Sequence, residues 1–171
     1  AVEKCLEIGF IILKPSINAL AGRGICFWKK DQNSLQELKN IIASHSNLVV
    51  QKFVQQHSFM ANFTNSCVNT MRIVTLIWEG EVKVTTAVLI MGGPTAKTNH
   101  LHSGGIVCGI LPDGHLRHTA FDGHLNAYQE HPNGIRFADV QIPNYDKCLE
   151  LVKRLAPRMA GVSKLLNWDL T

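Results

Sequence analysis

One hairpin limits the possible folds more than any other feature of the chain. Residues 71–78 and 82–91 are apolar and rich in β-branched side chains, and Glu79-Gly80 separates them. Two such segments joined by a short turn with glycine are typical of antiparallel strands. The sequence therefore predicts a β-hairpin in the centre of the chain, with one strand before the turn and one after it.

The same pattern continues on both sides of this hairpin. Residues 106–111 and 115–121 flank Pro112-Asp113-Gly114, whose Asp-Gly pair supplies the geometry of a hairpin turn. Residues 48–54 are also apolar and β-branched and predict another strand. We therefore expect an antiparallel meander over residues 48–121.

The amino-terminal part predicts a second hairpin followed by a helix. Residues 10–14 and 24–29 are short apolar runs, and the residues between them predict a mobile hairpin tip. Residues 34–45 place apolar side chains at helical spacing, and residues 31–34 offer N-cap candidates. This region combines a strand pair with an amphipathic helix.

Two connecting segments lack the periodicity of a helix or a strand, whereas the carboxy-terminal part predicts one helix and one strand. We expect residues 57–67 to be a polar connection and residues 122–143 to be a long ordered loop or a lid-like excursion. Residues 146–159 carry an apolar stripe with basic side chains near the end, as a helix dipole favours. Residues 165–171 predict a final strand, so the chain belongs to the α+β class, with antiparallel sheets and packed helices.

The composition is that of a globular chain, with 46% apolar and 18% charged residues. No window approaches about 18 uninterrupted apolar residues, so we expect no membrane span. The five cysteines form no CxxC pair, which favours free thiols in a reducing cytoplasm. Basic residues are scattered and the formal net charge is +4, so nucleic acid is not favoured as a partner.

Three charged side chains occur in apolar strands, where a charge without a partner is costly. Lys14 ends one strand, Arg72 begins another and Asp169 lies near the end of a third. Two cations and a carboxylate are what a polyphosphate and its metal require. The alternatives are a Lys14 side chain in solvent and a structural pair between Arg72 and Glu79, Glu81 or Asp169.

Residues 16–24 contain only two glycines, Gly22 and Gly24, and do not match the GxxxxGK[ST] phosphate loop. This tip is either an ordinary flexible hairpin or a cover for phosphates, to which backbone N–H groups and Arg23 would contribute. The histidines lack the spacing of a zinc site, and no local signature marks a nucleophilic cysteine.

Short motifs follow one another along residues 10–169 in a specific order. They are ILKPS at 12–16, VQKFVQQH at 50–57, VNTMRIVT at 68–75, Asn99-His100 with GGI at 104–106, HPNG at 131–134, Ile142-Pro143 and Trp168-Asp169. This order resembles the ATP-grasp superfamily, and in detail the sugar-transfer associated ATP-grasp proteins, which are related to α-L-glutamate ligases.

The resemblance implies a role for individual residues. Arg72 and Asn69 would contact phosphate or acyl phosphate, and Asp169 would be the first Mg²⁺ ligand. Residues 16–24 would cover the phosphates, and residues 51–54 would form the hinge that hydrogen-bonds the adenine edge. The implied nucleotide-binding residues are Lys14, Ser16, Gly22, Arg23, Gly24, Gln51, Lys52, Phe53 and Val54.

The resemblance also implies a domain organisation. In the superfamily two α+β lobes grip ATP, which would make residues 1–54 a nucleotide-covering lobe and residues 55–171 a second lobe with the phosphate and metal side. A preceding lobe and a Glu-x-Asn pair that completes the metal site are expected outside this sequence. The chain accordingly looks like a carboxy-terminal portion of an ATP-grasp protein.

The implied activity is ATP-dependent ligation of a small carboxylate to an amine or thiol acceptor through an acyl phosphate, with ATP and Mg²⁺ as cofactors. Residues 122–143 would recognise the acceptor, and polysaccharide or cell-surface biosynthesis is the implied setting. An ATP-binding module without ligase activity and a phosphotransferase on the same fold are alternatives. A β-rich domain that binds nucleic acid or a protein partner is a further one.

Overall fold

The computed structural model describes residues 2–17, 24–45, 47–94, 96 and 98–171. The chain divides into two units, Ala1–Gln55 and Gln56–Thr171. We call them unit 1 and unit 2, and each has its own sheet and its own apolar core.

Unit 1 consists of an antiparallel sheet and two helices. The helices are α1 (Val2–Ile8) and α2 (Leu35–Ala43), and the strands are β1 (Phe10–Pro15), β2 (Cys26–Lys29) and β3 (Leu48–Lys52). β1 lies between β2 and β3. The predicted hairpin of β1 and β2 and the predicted helix after it are confirmed.

The core of unit 1 lies on one face of this sheet. Ile11 and Leu13 alternate along β1 with half-buried neighbours and are fully buried. Trp28 is directly opposite Ile11, so both side chains point to the same face. Leu38 of α2 and Cys5 of α1 join this cluster, and the described helices of unit 1 therefore cover this face.

Helix α2 begins at a reciprocal cap. The Ser34 hydroxyl accepts from the Glu37 N–H at 3.2 Å, and the Glu37 carboxylate accepts from the Ser34 N–H at 2.7 Å. These bonds satisfy two N–H groups that a helix start leaves without partners. The predicted N-cap is confirmed at Ser34.

Unit 2 is built on a six-stranded antiparallel sheet with the order β8-β7-β6-β5-β4-β9. Its strands are β4 (Thr70–Trp78), β5 (Glu81–Met91), β6 (Ile106–Ile110), β7 (Leu116–Asp122), β8 (Ala127–Tyr128) and β9 (Leu165–Leu170). Its helices are α3 (Ser58–Ala61) and α4 (Tyr145–Leu155). Both predicted hairpins, the predicted helix and the final strand are confirmed.

One face of the unit 2 sheet is buried. Met71 and Ile73 of β4 and Leu89 of β5 point into this core, together with Met60 of α3 and Val152 of α4. The side chains that alternate with Met71 and Ile73 point away from the core. None of the helices in the described ranges has both the length and the apolar character that crossing a membrane requires.

The prediction that the meander starts at residue 48 was wrong. β3 pairs with β1 in unit 1, and the unit 2 meander starts with β4. A strand pattern specifies which face of a strand is apolar, but it does not specify the partner strand. The local sequence therefore identified β3 correctly as a strand and placed it in the wrong sheet.

Two connections also differ from expectation. Residues 57–67 contain α3 and bury Met60 and Phe63, so they are more than a polar connection. Residues 122–143 are not a lid-like excursion, because β8 pairs with β7 and apolar side chains from this stretch enter the core. The buried ones are Phe137, Val140 and Ile142.

Candidate functional site

Lys14 lies on the face of the unit 1 sheet that points away from the helices. It alternates with the buried Leu13, and it shares its face with Phe10 and Ile12. Pairing in register adds side chains from the two neighbouring strands. We call this surface the open face of unit 1, and it consists of Phe10, Ile12, Lys14, Phe27, Lys29, Val49, Gln51 and Phe53. Lys29 belongs to it as the partner of Phe10, and its ammonium lies 5.9 Å from the centre of that ring.

The Lys14 ammonium is the predicted phosphate contact on this surface. Lys14 is half-buried between apolar neighbours and pairs with Val49 across the sheet. It forms no ion pair with any residue that the structure describes. A lysine in this position presents a positive charge next to an apolar surface, which suits a ligand with a ring and an anionic group.

A cavity of about 480 Å³ opens at the end of this sheet. Lys52, Phe53 and Val54, all predicted hinge residues, line it together with Phe10. The Phe10 and Phe53 rings stack with their centroids 4.1 Å apart and their planes at 11°, and the Phe53 N–H donates to the Phe10 carbonyl. These contacts form an aromatic wall of the kind that a flat heterocycle packs against.

Gln51 does not line the cavity. Its partner in the sheet is Ile12, so its side chain lies on the open face, whereas Lys52 is opposite the buried Ile11. The predicted hinge residues therefore lie in two places. Gln51 lies on the open face, and the three residues that follow it line the cavity.

The described ends of the predicted phosphate-covering loop are Ser16 and Gly24. The Ser16 N–H donates to the Asn47 carbonyl at 3.1 Å and its side chain is exposed. Gly24 has φ +72°, and a Cβ there would lie 2.8 Å from Pro15 Cγ, so both backbone and space require glycine. Gly22 and Arg23 lie outside the described residues.

Arg72 and Asp169 meet in unit 2 on the face away from the core. Their backbones are directly opposed on β4 and β9. Arg72 Nε donates to Asp169 Oδ1 at 2.7 Å and Nη2 donates to Oδ2 at 2.8 Å. Their side chains are 44% and 50% exposed. The sequence left open whether Arg72 pairs with an acid, and this bidentate contact identifies Asp169 as its partner.

The pair stabilises the charged form of both side chains. Hydrogen bonds from Arg72 lower the pKa of Asp169 below its ordinary value, and the bond to Asp169 raises the pKa of Arg72. Partial burial acts in the opposite direction on each and is the smaller effect. Asp169 is therefore an anion at neutral pH, as a metal ligand must be.

Asp169 fits magnesium only in part. Mg²⁺ commonly takes one or two carboxylates together with phosphate oxygens and water. Within the described ranges no group of three or more His, Cys, Asp or Glu side chains is arranged to hold a metal ion. Both Asp169 oxygens accept from Arg72. This arrangement is an ion pair with one potential metal ligand, not a preformed magnesium site.

Asn69 lies in the interior of unit 2 and is 0% exposed. Its Nδ2 donates to the Met60 carbonyl at 2.8 Å and to Gln56 Oε1 at 3.1 Å, and its Oδ1 accepts from the Gly92 N–H at 3.2 Å. The amide thus connects residues 56–64 to the end of β5. A contact with phosphate would require it to give up these bonds, so the structure favours a positioning role for Asn69.

A second buried polar side chain continues this network. His131 is 0% exposed, and its Nε2 lies 3.0 Å from the Gly92 carbonyl. Its Nδ1 is 2.8 Å from Asn133 Oδ1, and Asn133 Nδ2 donates to the Phe63 carbonyl at 3.0 Å. We call Gln56, Asn69, Gly92, His131 and Asn133 the buried polar network.

Comparison with known families decides what kind of protein this is. The family model described as sugar-transfer associated ATP-grasp matches residues 1–171. The chain belongs to the sugar-transfer associated ATP-grasp family. Comparison with curated proteins and with solved structures gives no match. Membership places this ATP-grasp chain among ATP-binding proteins and confirms the resemblance seen in its motifs.

The structure groups these predicted ATP-grasp residues into four places. Lys14 and Gln51 share the open face of unit 1, and three hinge residues line the cavity at its end. Arg72 and Asp169 form one ion pair in unit 2. Asn69 belongs to the buried polar network instead of a surface.

Sequence reasoning missed the aromatic wall and most of the buried polar network. Phe10 appears in the sequence as one more apolar strand residue, and its role as a ring partner depends on Phe53 from another strand. Gln56 and His131 lie within two of the motifs that carried the resemblance. The motifs marked them as notable, but no local pattern indicated that they are connected to each other.

Proposed function

We propose that this chain is part of an ATP-dependent carboxylate ligase that acts through an acyl phosphate and transfers the acyl group to an amine or thiol acceptor. The observation that carries the proposal is Lys14 on an apolar open face, beside an aromatic cavity, in a chain of the ATP-grasp family. The apolar surface suits the adenine ring, and the ammonium suits the phosphates. The hinge segment next to the cavity supplies polar groups for the adenine edge.

The reaction has a substrate carboxylate oxygen attack the γ-phosphorus of ATP while the bond to the bridging oxygen of ADP breaks. The acceptor then attacks the acyl carbon and phosphate leaves. Negative charge accumulates on the phosphoryl oxygens and on ADP, so cations aimed at them lower the barrier. We assign this role to Lys14 and Arg72.

The Arg72 side chain is already oriented before any phosphate binds. Asp169 fixes the planar guanidinium in one orientation, and the fork that now binds a carboxylate also matches two phosphate oxygens. When a phosphate takes the guanidinium, the Asp169 carboxylate is free to serve as one ligand of Mg²⁺. The metal would neutralise phosphate charge and orient the phosphates.

The closed Arg72–Asp169 pair also supports a second function, an ATP-binding module without ligase activity. If both side chains keep each other as partners, nucleotide binding depends on unit 1 alone. A phosphotransferase is the third alternative, and its product would be a stable phosphorylated compound. From the family description we further propose a role in polysaccharide or cell-surface biosynthesis. A cytoplasmic location is proposed from the cysteines, which form no CxxC pair.

A thermal-shift titration with ATP and Mg²⁺ tests nucleotide binding. A ligand that binds only the folded state adds about 2.7 kcal/mol at a hundredfold excess over its Kd, so the midpoint must rise. Lys14→Gln should weaken this effect, and Lys39→Gln, an exposed lysine on α2, is the matched control. A rise that Lys14→Gln leaves unchanged would remove Lys14 from the site.

Product analysis separates the three functions. A ligase releases ADP and phosphate only with a carboxylate and an acceptor, and hydroxylamine traps its acyl phosphate as a hydroxamate. A phosphotransferase releases ADP but no free phosphate. A binding module is stabilised by ATP and yields neither product with any acceptor.

A further inference from the structure

We propose that unit 2 contains an additional binding site, for a small organic anion that carries several carboxylate or phosphate groups. The site is a cavity of about 700 Å³ beside the first half of β5, between β6, β7 and α4. We call it the basic cavity, because Lys83, Arg117 and Lys153 line it. It does not include Arg72, Asp169 or any residue assigned above to nucleotide binding.

The cavity exists because β5 is longer than its partner. β5 spans Glu81–Met91, but β6 pairs with it only from Val88 to Met91. Residues 82–87 therefore have β4 on one side, and no strand of the described residues pairs with them on the other. Backbone N–H and C=O groups along such an edge are available to a ligand.

The charge around this cavity is of one sign. Lys83 comes from β5, Arg117 from β7 and Lys153 from α4, and none of the described residues that line the cavity is an aspartate or glutamate. Lys83 has one distant partner, Glu81 at 3.9 Å, in an exposed pair. Neither Arg117 nor Lys153 forms an ion pair with a described residue. Three cations from separate elements around one cavity make its lining positive, and a positive lining attracts an anion.

Arg117 is placed by its neighbour on the adjacent strand. A Cβ on Gly109 would lie 2.8 Å from Arg117 Cδ and 3.1 Å from Nε, so only glycine lets this side chain lie against β6. The stem of the Arg117 side chain thus packs against the Gly109 backbone. Tyr145 and Leu149 of α4 add an apolar wall, which suits an organic ligand over a bare inorganic ion.

Isothermal titration of the whole chain with citrate and with inorganic pyrophosphate tests this site. Lys153→Gln and Arg117→Gln each remove one charge, and Lys147→Gln, an exposed lysine of the same helix outside the cavity, is the matched control. Gly109→Ala displaces Arg117 without changing the charge. Lys14→Gln separates the basic cavity from the open face of unit 1, where pyrophosphate also has a cation to bind.

We expect saturable binding of at least one probe. Lys153→Gln and Arg117→Gln should each weaken it about tenfold, since a hydrogen bond to a charged group contributes roughly that factor. Gly109→Ala should weaken it as well, whereas Lys147→Gln should leave it unchanged. Any pyrophosphate binding that Lys14→Gln removes belongs to the open face of unit 1 and not to the basic cavity. Failure of the wild type to bind either probe would overturn the proposal. So would equal binding by the wild type and Lys153→Gln.

Discussion

Arg72 and Asp169 are paired at two levels: their backbones are directly opposed on β4 and β9, and their side chains form two parallel hydrogen bonds. Because the strand register already brings the side chains together, little further ordering is needed to close the pair. An exposed ion pair contributes only about 0–1 kcal/mol to stability. The value of this pair therefore lies in orienting a guanidinium.

Arg72→Lys keeps the positive charge and removes the planar fork. We expect a loss of stability below about 1 kcal/mol, because the pair is exposed. ATP-dependent product release should fall by about a hundredfold, as when one donor to a developing charge is removed. Arg136→Lys is the control, because Arg136 is also an exposed arginine with a nearby carboxylate, 3.8 Å away in Asp139. An unchanged rate in Arg72→Lys would contradict the assigned role.

Asp169→Asn tests the link to magnesium. In the wild type, ATP should raise the midpoint of unfolding more with Mg²⁺ than with EDTA, because a metal ligand connects the nucleotide to the folded chain. An amide is a weaker ligand than a carboxylate, so the difference between the two conditions should shrink in Asp169→Asn. If the variant keeps the full magnesium effect, Asp169 is not a metal ligand.

Asn69→Ala should destabilise unit 2 by about 2–4 kcal/mol. The substitution leaves the buried Gly92 N–H and the Met60 carbonyl without these partners, and each unsatisfied buried group costs about 1–3 kcal/mol. Urea unfolding gives the change in free energy. Asn167→Ala, at an exposed position on β9, is the control and should be nearly neutral. Normal stability with lost activity would instead favour direct contact between Asn69 and a phosphate.

Gly92→Ala should be destabilising because of one close approach. A Cβ on Gly92 would lie 2.2 Å from Cys67 Sγ, and forcing an atom into a packed site costs about 1–3 kcal/mol. Adding Cys67→Ala removes the sulfur and should recover part of the loss. Gly161→Ala has nothing within 4 Å of the new atom and should be neutral. Without any rescue in the double variant, the clash is not the cause.

The Asp122 carboxylate accepts hydrogen bonds from residues 124–128, so the stability of the folded chain at acid pH depends on this segment. Hydrogen bonds from Asn126, His124 and Tyr128 lower the pKa of its carboxyl to about 2, the largest contribution coming from the Asn126 side chain. A carboxyl whose pKa is lower in the folded state stabilises fully above its unfolded value of about 3.9 and loses this effect as pH falls through about 2.

The measurement is the midpoint of thermal unfolding of the wild type and Asp122→Asn from pH 6 downwards. The wild type should be the more stable of the two above about pH 4, and the difference should shrink between about pH 4 and pH 2. A difference that does not vary with pH would mean that charge on Asp122 is unimportant.

The sequence predicted the elements well and their assembly less well. Turn residues such as Glu79-Gly80 specify local geometry, so both unit 2 hairpins were predicted at the correct positions in the chain. The partner of β3 was wrong, because pairing between distant strands depends on packing that no short window contains. The prediction for residues 57–67 was wrong for the same reason, because their few apolar side chains are buried by packing against the rest of the unit 2 core.

The candidate site shows the same division. The motifs made Lys14, Arg72 and Asp169 candidate site residues, and the sequence left Asp169 as one of three possible partners of Arg72. The choice among those acids required the β4–β9 register. The resemblance predicted a phosphate contact for Asn69. A motif does not show whether a side chain is buried or exposed, and the structure shows that Asn69 is buried.

The Arg72–Asp169 contact joins residues that are 97 positions apart in the chain. A contact between such distant positions closes a large loop, and loop closure has a cost in conformational entropy. Until that strand docks, the guanidinium lacks its orienting carboxylate. The orientation of Arg72 thus depends on a strand almost a hundred residues further along the chain, and not on its own hairpin.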